Sequence, residues 1–227
     1  MSAGASIELF DDDSSEPRVR GFLHRPESPN GDALVLTHSA GGNSRSPLLI
    51  AVAEALAESG LTVLRCDLPF RQMRPHGPPG AGRATRDREG LRQAVMSLRK
   101  IVPGRVFLGG HSYGGRQASM LAADDPDVAA ALLLLSYPLH PPRRPTQLRT
   151  GHFSRLRVPS LFVQGTRDEF ASVEEITSAL LLIPARTKLL VIDGAGHSLA
   201  VRGELAAVAA KVKDAFQEFL AFYNSDA

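Results

Sequence analysis

The chain has 227 residues, and its 26 lysines and arginines against 24 aspartates and glutamates give a formal net charge of +2. Hydrophobic residues make up 43% of the chain and charged residues 22%, as in globular domains and unlike disordered chains. The small positive excess does not indicate nucleic acid as a partner. A single cysteine, Cys66, excludes an intramolecular disulfide and a cysteine-based zinc cluster.

The N-terminal segment, residues 1–17, contains neither a basic stretch nor an apolar stretch, so no signal peptide is predicted. The longest apolar run, from Val128 to Leu135, falls far short of the roughly 20 residues that a membrane-spanning helix needs. One free thiol fits a reducing compartment. We therefore expect a soluble, cytoplasmic protein without a membrane partner. The sequence leaves the oligomeric state open, a homo-oligomer included.

Short apolar runs predict strands along most of the chain. Most runs do not alternate apolar with polar residues, which is typical of strands that are covered on both faces. The predicted strands are Ile7–Phe10 at an edge, Val19–His24, Ala33–Thr37, Thr62–Cys66, Arg105–Gly109, Ala131–Ser136, Ser160–Gln164 and Lys188–Ile192.

Segments of helical period lie between these strands. Apolar residues at helical spacing predict helices after Pro47 (with Ser46 as N-cap), over Leu91–Leu98, over Ile176–Ile183 and over Leu205–Phe219. Two stretches without this period, Pro69 to Gly82 and Pro138 to Pro159, are predicted as loops. The alternation predicts an α/β domain with a mostly parallel central sheet of about seven or eight strands and helices on both faces. It would be a single domain over residues 1–227, with an N-terminal edge-strand segment at 1–30 and a minimal lid loop at 137–159.

The segment Gly110-His111-Ser112-Tyr113-Gly114 fits the pattern G-x-S-x-G of a nucleophile elbow. In such an elbow a strand turns sharply into a helix, and the turn holds a serine hydroxyl above the end of the sheet. Small flanking residues are needed because the turn is tight. The competing interpretation of the motif by itself is a structural glycine-rich turn.

Two further residues complete the pattern of a Ser-His-Asp triad. Asp168 and His197 each follow a predicted strand, and the chain order Ser112, Asp168, His197 is the one expected of this arrangement. Because the carboxyl ends of parallel strands meet at one edge of a sheet, the three side chains should lie close together. An imidazole would remove the proton of the serine hydroxyl, and the carboxylate would orient and stabilise the imidazole.

Other residues compete for the acid and base roles. Glu169 adjoins Asp168, and Asp193 lies four residues before His197, so either carboxylate could be the acid instead. His111 neighbours the serine, but we expect it to point away from Ser112 through the turn. The histidines that compete with His197 are His24, His38, His76, His111, His140 and His152.

The glycine-rich segment from Thr37 to Asn43 follows another predicted strand and precedes a helix. An oxyanion hole needs two converging amides, one after the nucleophile and one from the loop after this earlier strand. By position these would be the backbone N–H groups of Tyr113 and Ala40. The alternative is a glycine-rich helix entry that binds nothing or binds a phosphate. No G-x-x-x-x-G-K-[ST] motif is present.

The motifs HSAGG, GHSYGG, GTRD and GAGHS, in this order, resemble those of the α/β-hydrolase superfamily. The stretches DLPFRQMRP and SYPLHPP are similar to its small dienelactone-hydrolase-like branch, near the testis-expressed and histone-acetyltransferase-complex-subunit group. The resemblance covers roughly residues 30 to 222. It implies an α/β-hydrolase fold, the triad and oxyanion amides named above, and no cofactor or metal.

The sequence departs from this family at two points. His38-Ser39 replaces the usual His-Gly opening of the oxyanion loop, and a serine stands where dienelactone hydrolases carry a cysteine nucleophile. Cys66 lies at the end of a different predicted strand and is expected to be a buried small hydrophobe. The dienelactone activity is therefore not implied.

The resulting hypothesis is a serine hydrolase that cleaves an ester or related acyl bond of a small molecule through an acyl-enzyme. Side chains expected to contact the substrate are Ser39, Arg71, Tyr137 and His140. Arginines in the loops could favour an anionic substrate, although a solvated loop face explains them as well. Two alternatives stay open: a hydrolase scaffold kept as a protein-binding module, and an acyltransferase that uses the same triad.

Overall fold

The computed structural model describes residues 5–80, 82–201 and 203–223 of the chain. The strands in this part are β1 (Ser6–Asp12), β2 (Val19–Arg25), β3 (Ala33–Thr37), β4 (Thr62–Cys66), β5 (Val106–His111), β6 (Leu132–Leu135), β7 (Ser160–Gly165) and β8 (Thr187–Ile192). The helices are α1 (Pro47–Glu58), α2 (Pro69–Met73), α3 (Ala84–Arg99), α4 (Tyr113–Asp124), α5 (Val173–Leu180) and α6 (Leu205–Tyr223). Two short 3₁₀ turns cover Pro126–Val128 and Phe153–Arg155.

The strands form one sheet in the order β1-β2-β4-β3-β5-β6-β7-β8. The pairs β1–β2 and β2–β4 are antiparallel, and every pair from β4 to β8 is parallel. The predicted mostly parallel sheet is therefore confirmed, with β5 near its centre between β3 and β6.

Helices cover both faces of the sheet, as predicted, and each face has its own hydrophobic core. Apolar residues of α3, α4 and α5 pack on one face, among them Leu91, Leu121 and Ile176. Residues of α1 and α6 pack on the other, where the ring of Phe216 meets Phe107 of β5 edge-on. No helix within the described residues is both long and apolar enough to cross a membrane.

One of the two stretches predicted as loops contains a helix. Residues Pro69–Met73 form α2, which the sequence analysis assigned to a loop. Pro69 occupies the first turn, where its missing N–H costs nothing. Phe70 is buried and its N–H donates to the Asp87 carboxylate of α3 at 3.0 Å. The helix is thus stabilised by tertiary contacts that its short, proline-rich sequence does not reveal.

His24 of β2 is a fully buried imidazole next to the arginine of a neighbouring strand. Arg65 of β4 donates from Nε to His24 Nε2 at 2.7 Å, so this nitrogen carries no proton. Burial, and to a smaller extent the charge of Arg65, lowers the pKa of His24 to about 4. The folded protein therefore holds a neutral imidazole under conditions in which the unfolded chain takes up a proton.

We predict that His24 makes the free energy of unfolding fall as the pH falls from about 6.5 to about 4. In this window the unfolded state binds one more proton, so the slope is up to about 1.4 kcal/mol per pH unit. His24→Gln keeps an acceptor for Arg65 but does not titrate, and urea unfolding at several pH values should show a smaller slope. His76→Gln, at an exposed loop position, is the control. Equal slopes in His24→Gln and the parent protein would contradict the prediction.

Candidate active site

Ser112 lies between the end of β5 and the start of α4 with φ 53° and ψ −113°. Few residues with a Cβ adopt a positive φ, and the conformation costs on the order of 1–3 kcal/mol unless its surroundings enforce it. Here the Ser112 N–H donates to the Leu135 carbonyl at 2.8 Å, and the Ser112 carbonyl accepts from the Arg116 N–H at 2.9 Å. These bonds hold the serine at the carboxyl edge of the sheet.

The glycines of the motif allow this turn to pack against the end of β3. A Cβ on Gly114 would lie 2.5 Å from the His38 carbonyl oxygen and 2.6 Å from Thr37 Cγ2. A Cβ on Gly110 would lie 2.8 Å from the Gly114 backbone. Since real Cβ atoms do not come this close, only glycine permits the loop after β3 to approach the serine.

The structure brings Ser112, His197 and Asp168 together. Ser112 Oγ lies 2.7 Å from His197 Nε2, and His197 Nδ1 lies 2.9 Å from both carboxylate oxygens of Asp168. The Asp168 side chain is completely buried, and its Oδ1 also accepts from the Phe170 N–H at 2.9 Å. This is the geometry in which an imidazole with a proton on Nδ1 can accept the serine proton on Nε2.

The imidazole of His197 is held from two further directions. The ring of Phe170 stacks on it with the ring centroids 4.0 Å apart. His111 Nε2 lies 2.7 Å from the His197 carbonyl oxygen and donates to it. Burial lowers the pKa of His111 to about 4, so its ring is neutral and serves as a hydrogen-bond donor to the loop of His197.

The competing acids and bases make other contacts. Asp193 accepts from the Thr166 hydroxyl at 3.2 Å, and Glu169 is exposed. His38 Nδ1 donates to the Ser39 carbonyl at 2.8 Å, and its Nε2 accepts from the Leu68 N–H at 3.1 Å. Within the described residues, His197 is the imidazole in contact with the Ser112 hydroxyl.

The amides of Ala40 and Tyr113 border the same space as Ser112. Within the described residues neither amide has an acceptor, as an oxyanion hole requires. Both residues are held in place by hydrogen bonds of their other polar groups. The Ala40 carbonyl accepts from Arg71 Nη2 at 2.9 Å, and the Tyr113 hydroxyl donates to the buried Asp87 at 2.7 Å.

A cavity of about 430 Å³ opens in front of the serine hydroxyl. It falls in the size range of small-molecule sites, roughly 300–1,000 Å³. Its lining is formed by Ser39, Ala40, Gly41, Ser112, Tyr113, Arg116, Pro138, Arg149, Phe170 and His197.

Of the four side chains expected to contact the substrate, only Ser39 lines this cavity. Arg71 is buried and donates to three backbone carbonyls, and the Tyr137 hydroxyl donates to the Arg149 carbonyl at 2.8 Å. His140 is buried and faces Pro141 and Glu175. The structure therefore places these three around the cavity wall and not at its surface.

Sequence reasoning missed Arg116, Arg149 and Phe170 in the cavity lining. One signal was available for Arg116, which lies four residues after Ser112 and hence one turn along the same face of α4. Phe170 follows Asp168 by two residues. Nothing in the local sequence marks Arg149, which a long connection brings to the site.

Cys66 lies at the end of β4 and is buried, and burial raises the pKa of its thiol to about 12. It therefore packs as a small hydrophobe and is not a nucleophile. Over residues 5–80, 82–201 and 203–223 no group of three or more His, Cys, Asp or Glu side chains could hold a metal ion.

The sheet order and the serine turn define the class of an α/β-hydrolase fold. The sequence profile of the alpha/beta hydrolase domain family matches residues 30–224, and the chain belongs to this family. The match covers nearly the whole chain.

Solved structures share this fold at low sequence identity. A dienelactone hydrolase from Anabaena variabilis is 22% identical, with a TM-score of 0.76 over 95% of this chain and 98% of that one. An alpha-beta serine hydrolase homologue from Coxiella burnetii is 20% identical, with a TM-score of 0.75 over 92% and 96%. Est1E from Butyrivibrio proteoclasticus is 21% identical, with a TM-score of 0.72 over 96% and 100%.

We predict that Arg71→Gln loosens the loop after β3. The guanidinium of Arg71 bonds the carbonyls of Ala40, Arg74 and Gly77, and glutamine is too short to reach all three. Hydrogen exchange followed by mass spectrometry should show faster exchange of the peptide that contains residues 38–43. The exposed Arg74→Gln, on the same segment, should leave that peptide unchanged. Unaltered exchange in Arg71→Gln would show that the loop does not depend on this side chain.

Proposed function

We propose that the protein is a serine hydrolase that cleaves an ester or related acyl bond of a small molecule. The observation that carries this proposal is the 2.7 Å contact between Ser112 Oγ and His197 Nε2, with the Asp168 carboxylate 2.9 Å behind the imidazole. The family of the chain and its structural neighbours, a serine hydrolase homologue and a dienelactone hydrolase among them, support the reaction type.

In the proposed mechanism Ser112 Oγ attacks the carbonyl carbon while His197 Nε2 accepts the hydroxyl proton. The carbonyl oxygen becomes an oxyanion, which the N–H groups of Ala40 and Tyr113 stabilise. His197 then returns its proton to the leaving alcohol as the C–O bond breaks, which leaves an acyl-enzyme on Ser112. Water, deprotonated by His197, releases the acid and restores the serine.

Asp168 supports the imidazole in each of these steps. Its carboxylate accepts from His197 Nδ1–H, which fixes the tautomer with a free lone pair on Nε2. The buried position of Asp168 keeps water from competing for this bond. The carboxylate also offsets the positive charge of the imidazole when it is protonated.

We predict that a fluorophosphonate probe labels the protein and that Ser112→Ala abolishes the labelling. The probe phosphonylates only a serine that a neighbouring base activates, so the experiment reports on the Ser112–His197 pair without knowledge of the substrate. Labelling is read by intact-mass spectrometry. Ser119→Ala, at a buried serine of α4 away from the cavity, is the matched control and should label normally. Unlabelled parent protein would favour the binding-module alternative.

We predict that Asp168→Asn lowers kcat for p-nitrophenyl butyrate by a factor on the order of 1,000 or more, because the amide NH2 donates to His197 Nδ1 and favours the tautomer in which Nε2 carries the proton. Asp193→Asn and Glu169→Gln should stay within about threefold of the parent enzyme, since neither carboxylate contacts the imidazole. Initial rates measure all three. A large loss in Asp193→Asn with activity kept in Asp168→Asn would reverse the assignment of the acid.

A further inference from the structure

Two arginines, Arg116 and Arg149, line the cavity in front of Ser112. Arg116 lies on α4 one turn after Ser112, so the Cα atoms of Ser112 and Arg116 are about 6 Å apart along the helix axis. Arg149 lies in the connection between β6 and β7, on a different part of the wall. Neither residue belongs to the triad or to the proposed oxyanion hole.

Neither guanidinium forms an ion pair with any carboxylate of the described residues. Other arginines of this protein do so: Arg105 contacts Asp32 at 2.6 Å, and Arg92 contacts Asp125. Arg116 Nε is buried without a hydrogen-bond partner. A buried donor without an acceptor is costly, so the protein itself does not fully satisfy the Arg116 guanidinium.

Within the part of the chain that the structure describes, the Arg149 side chain makes one hydrogen bond, a long one of 3.3 Å from Nη1 to the Pro138 carbonyl. Burial and the neighbouring charge of Arg116 lower the pKa of its guanidinium. The two positive charges thus repel each other across a partly dehydrated space. An anion bound to both guanidiniums would offset this repulsion and would accept from their N–H groups.

The backbone of Arg149 is fixed in place. Its N–H donates to the Leu139 carbonyl at 2.7 Å, and its carbonyl accepts from the Tyr137 hydroxyl at 2.8 Å. Tyr137 itself is fully buried against Phe153 and Phe162. The hydrophobic core therefore holds the backbone of Arg149 at the cavity wall, whereas Arg143 and Arg144 of the same connection are exposed.

We propose that Arg116 and Arg149 bind a carboxylate of the substrate, so that the enzyme acts on an ester that also carries a free carboxylate. The ester cleavage in this inference rests on the proposed function, whereas the carboxylate site rests on the two arginines alone. Their planar forks match the two oxygens of a carboxylate. The rest of the substrate would lie along the apolar surfaces of Pro138 and Phe170.

The test compares acids with their methyl esters, which have nearly the same shape but no charge. Binding to Ser112→Ala is measured by ligand-observed NMR for monomethyl adipate and 4-acetoxybutanoate, which carry the carboxylate on the acyl part and on the alcohol part. We expect at least one acid to bind about tenfold or more tightly than its methyl ester. If neither acid binds more tightly than its ester, or if inorganic phosphate binds and neither acid does, the proposal is overturned.

The two arginines are then tested in the same Ser112→Ala background. Arg116→Gln and Arg149→Gln should each remove about tenfold of the preference for the acid and leave binding of the methyl ester unchanged. Arg144→Gln, an exposed arginine outside the cavity, should keep the full preference. Because the two cavity arginines lie on different elements, a folding defect in one variant leaves the other informative. An acid preference that both variants retain would place the anion elsewhere and refute the assignment.

The labelling and binding experiments together distinguish the proposed hydrolase activity from the proposed carboxylate site. If the fluorophosphonate probe does not label the protein but the preference for the acid still depends on the arginines, the hydrolase proposal is contradicted and the carboxylate-site proposal is supported. Normal labelling with equal binding of acid and ester would contradict the carboxylate site alone.

Discussion

The positive φ of Ser112, at the junction of β5 and α4, is the constraint on which the rest of the site depends. The serine stays in this conformation because its N–H and its carbonyl are both hydrogen-bonded. The N–H donates to the Leu135 carbonyl of β6, and the carbonyl accepts from the Arg116 N–H. The same turn starts α4 at the carboxyl edge of the sheet with Tyr113, whose N–H has no acceptor among the described residues. It also lets Gly114 approach the His38 carbonyl, with an N–H contact of 3.2 Å, which positions the loop that contains Ala40. One backbone conformation thus sets the nucleophile and both proposed oxyanion donors.

The proposed base and acid, His197 and Asp168, are placed by a second set of contacts that begins at the same strand, β5. His111, the last residue of β5, donates to the His197 carbonyl, so the strand that carries the serine also holds the loop of the imidazole. Phe170 connects the other two members, because its N–H bonds Asp168 and its ring stacks on His197. These side chains touch groups of the triad without taking part in proton transfer. Rigid support of this kind is what keeps a catalytic geometry within a fraction of an ångström.

The sequence was sufficient for the sheet, for the helices on both faces and for the elements that carry Ser112, Asp168 and His197. These predictions rest on local patterns and on one rule, that parallel strands present their carboxyl ends at one edge. The stretch Pro69–Met73 is different, because it is helical only through the burial of Phe70 and its bond to Asp87, which lies on another helix. The direction of a long side chain is also set by tertiary contacts. The sequence alone therefore shows neither that Arg71 bonds backbone carbonyls nor that Arg149 reaches the cavity lining.

The cavity is positive for reasons that act together on the proposed reaction. The N-terminus of α4, which is the positive end of its dipole, lies at Ser112, and the two arginines of the cavity lining add full charges. Such a field stabilises an oxyanion at the serine and attracts an anionic substrate, so binding and chemistry draw on the same charges. Burial and the charge of Arg116 lower the pKa of Arg149, so both disfavour its charged form. Arg92 and Arg105 pair with carboxylates elsewhere in the fold, whereas Arg116 and Arg149 do not within the described residues, so the proposed substrate carboxylate would supply the negative charge that they lack.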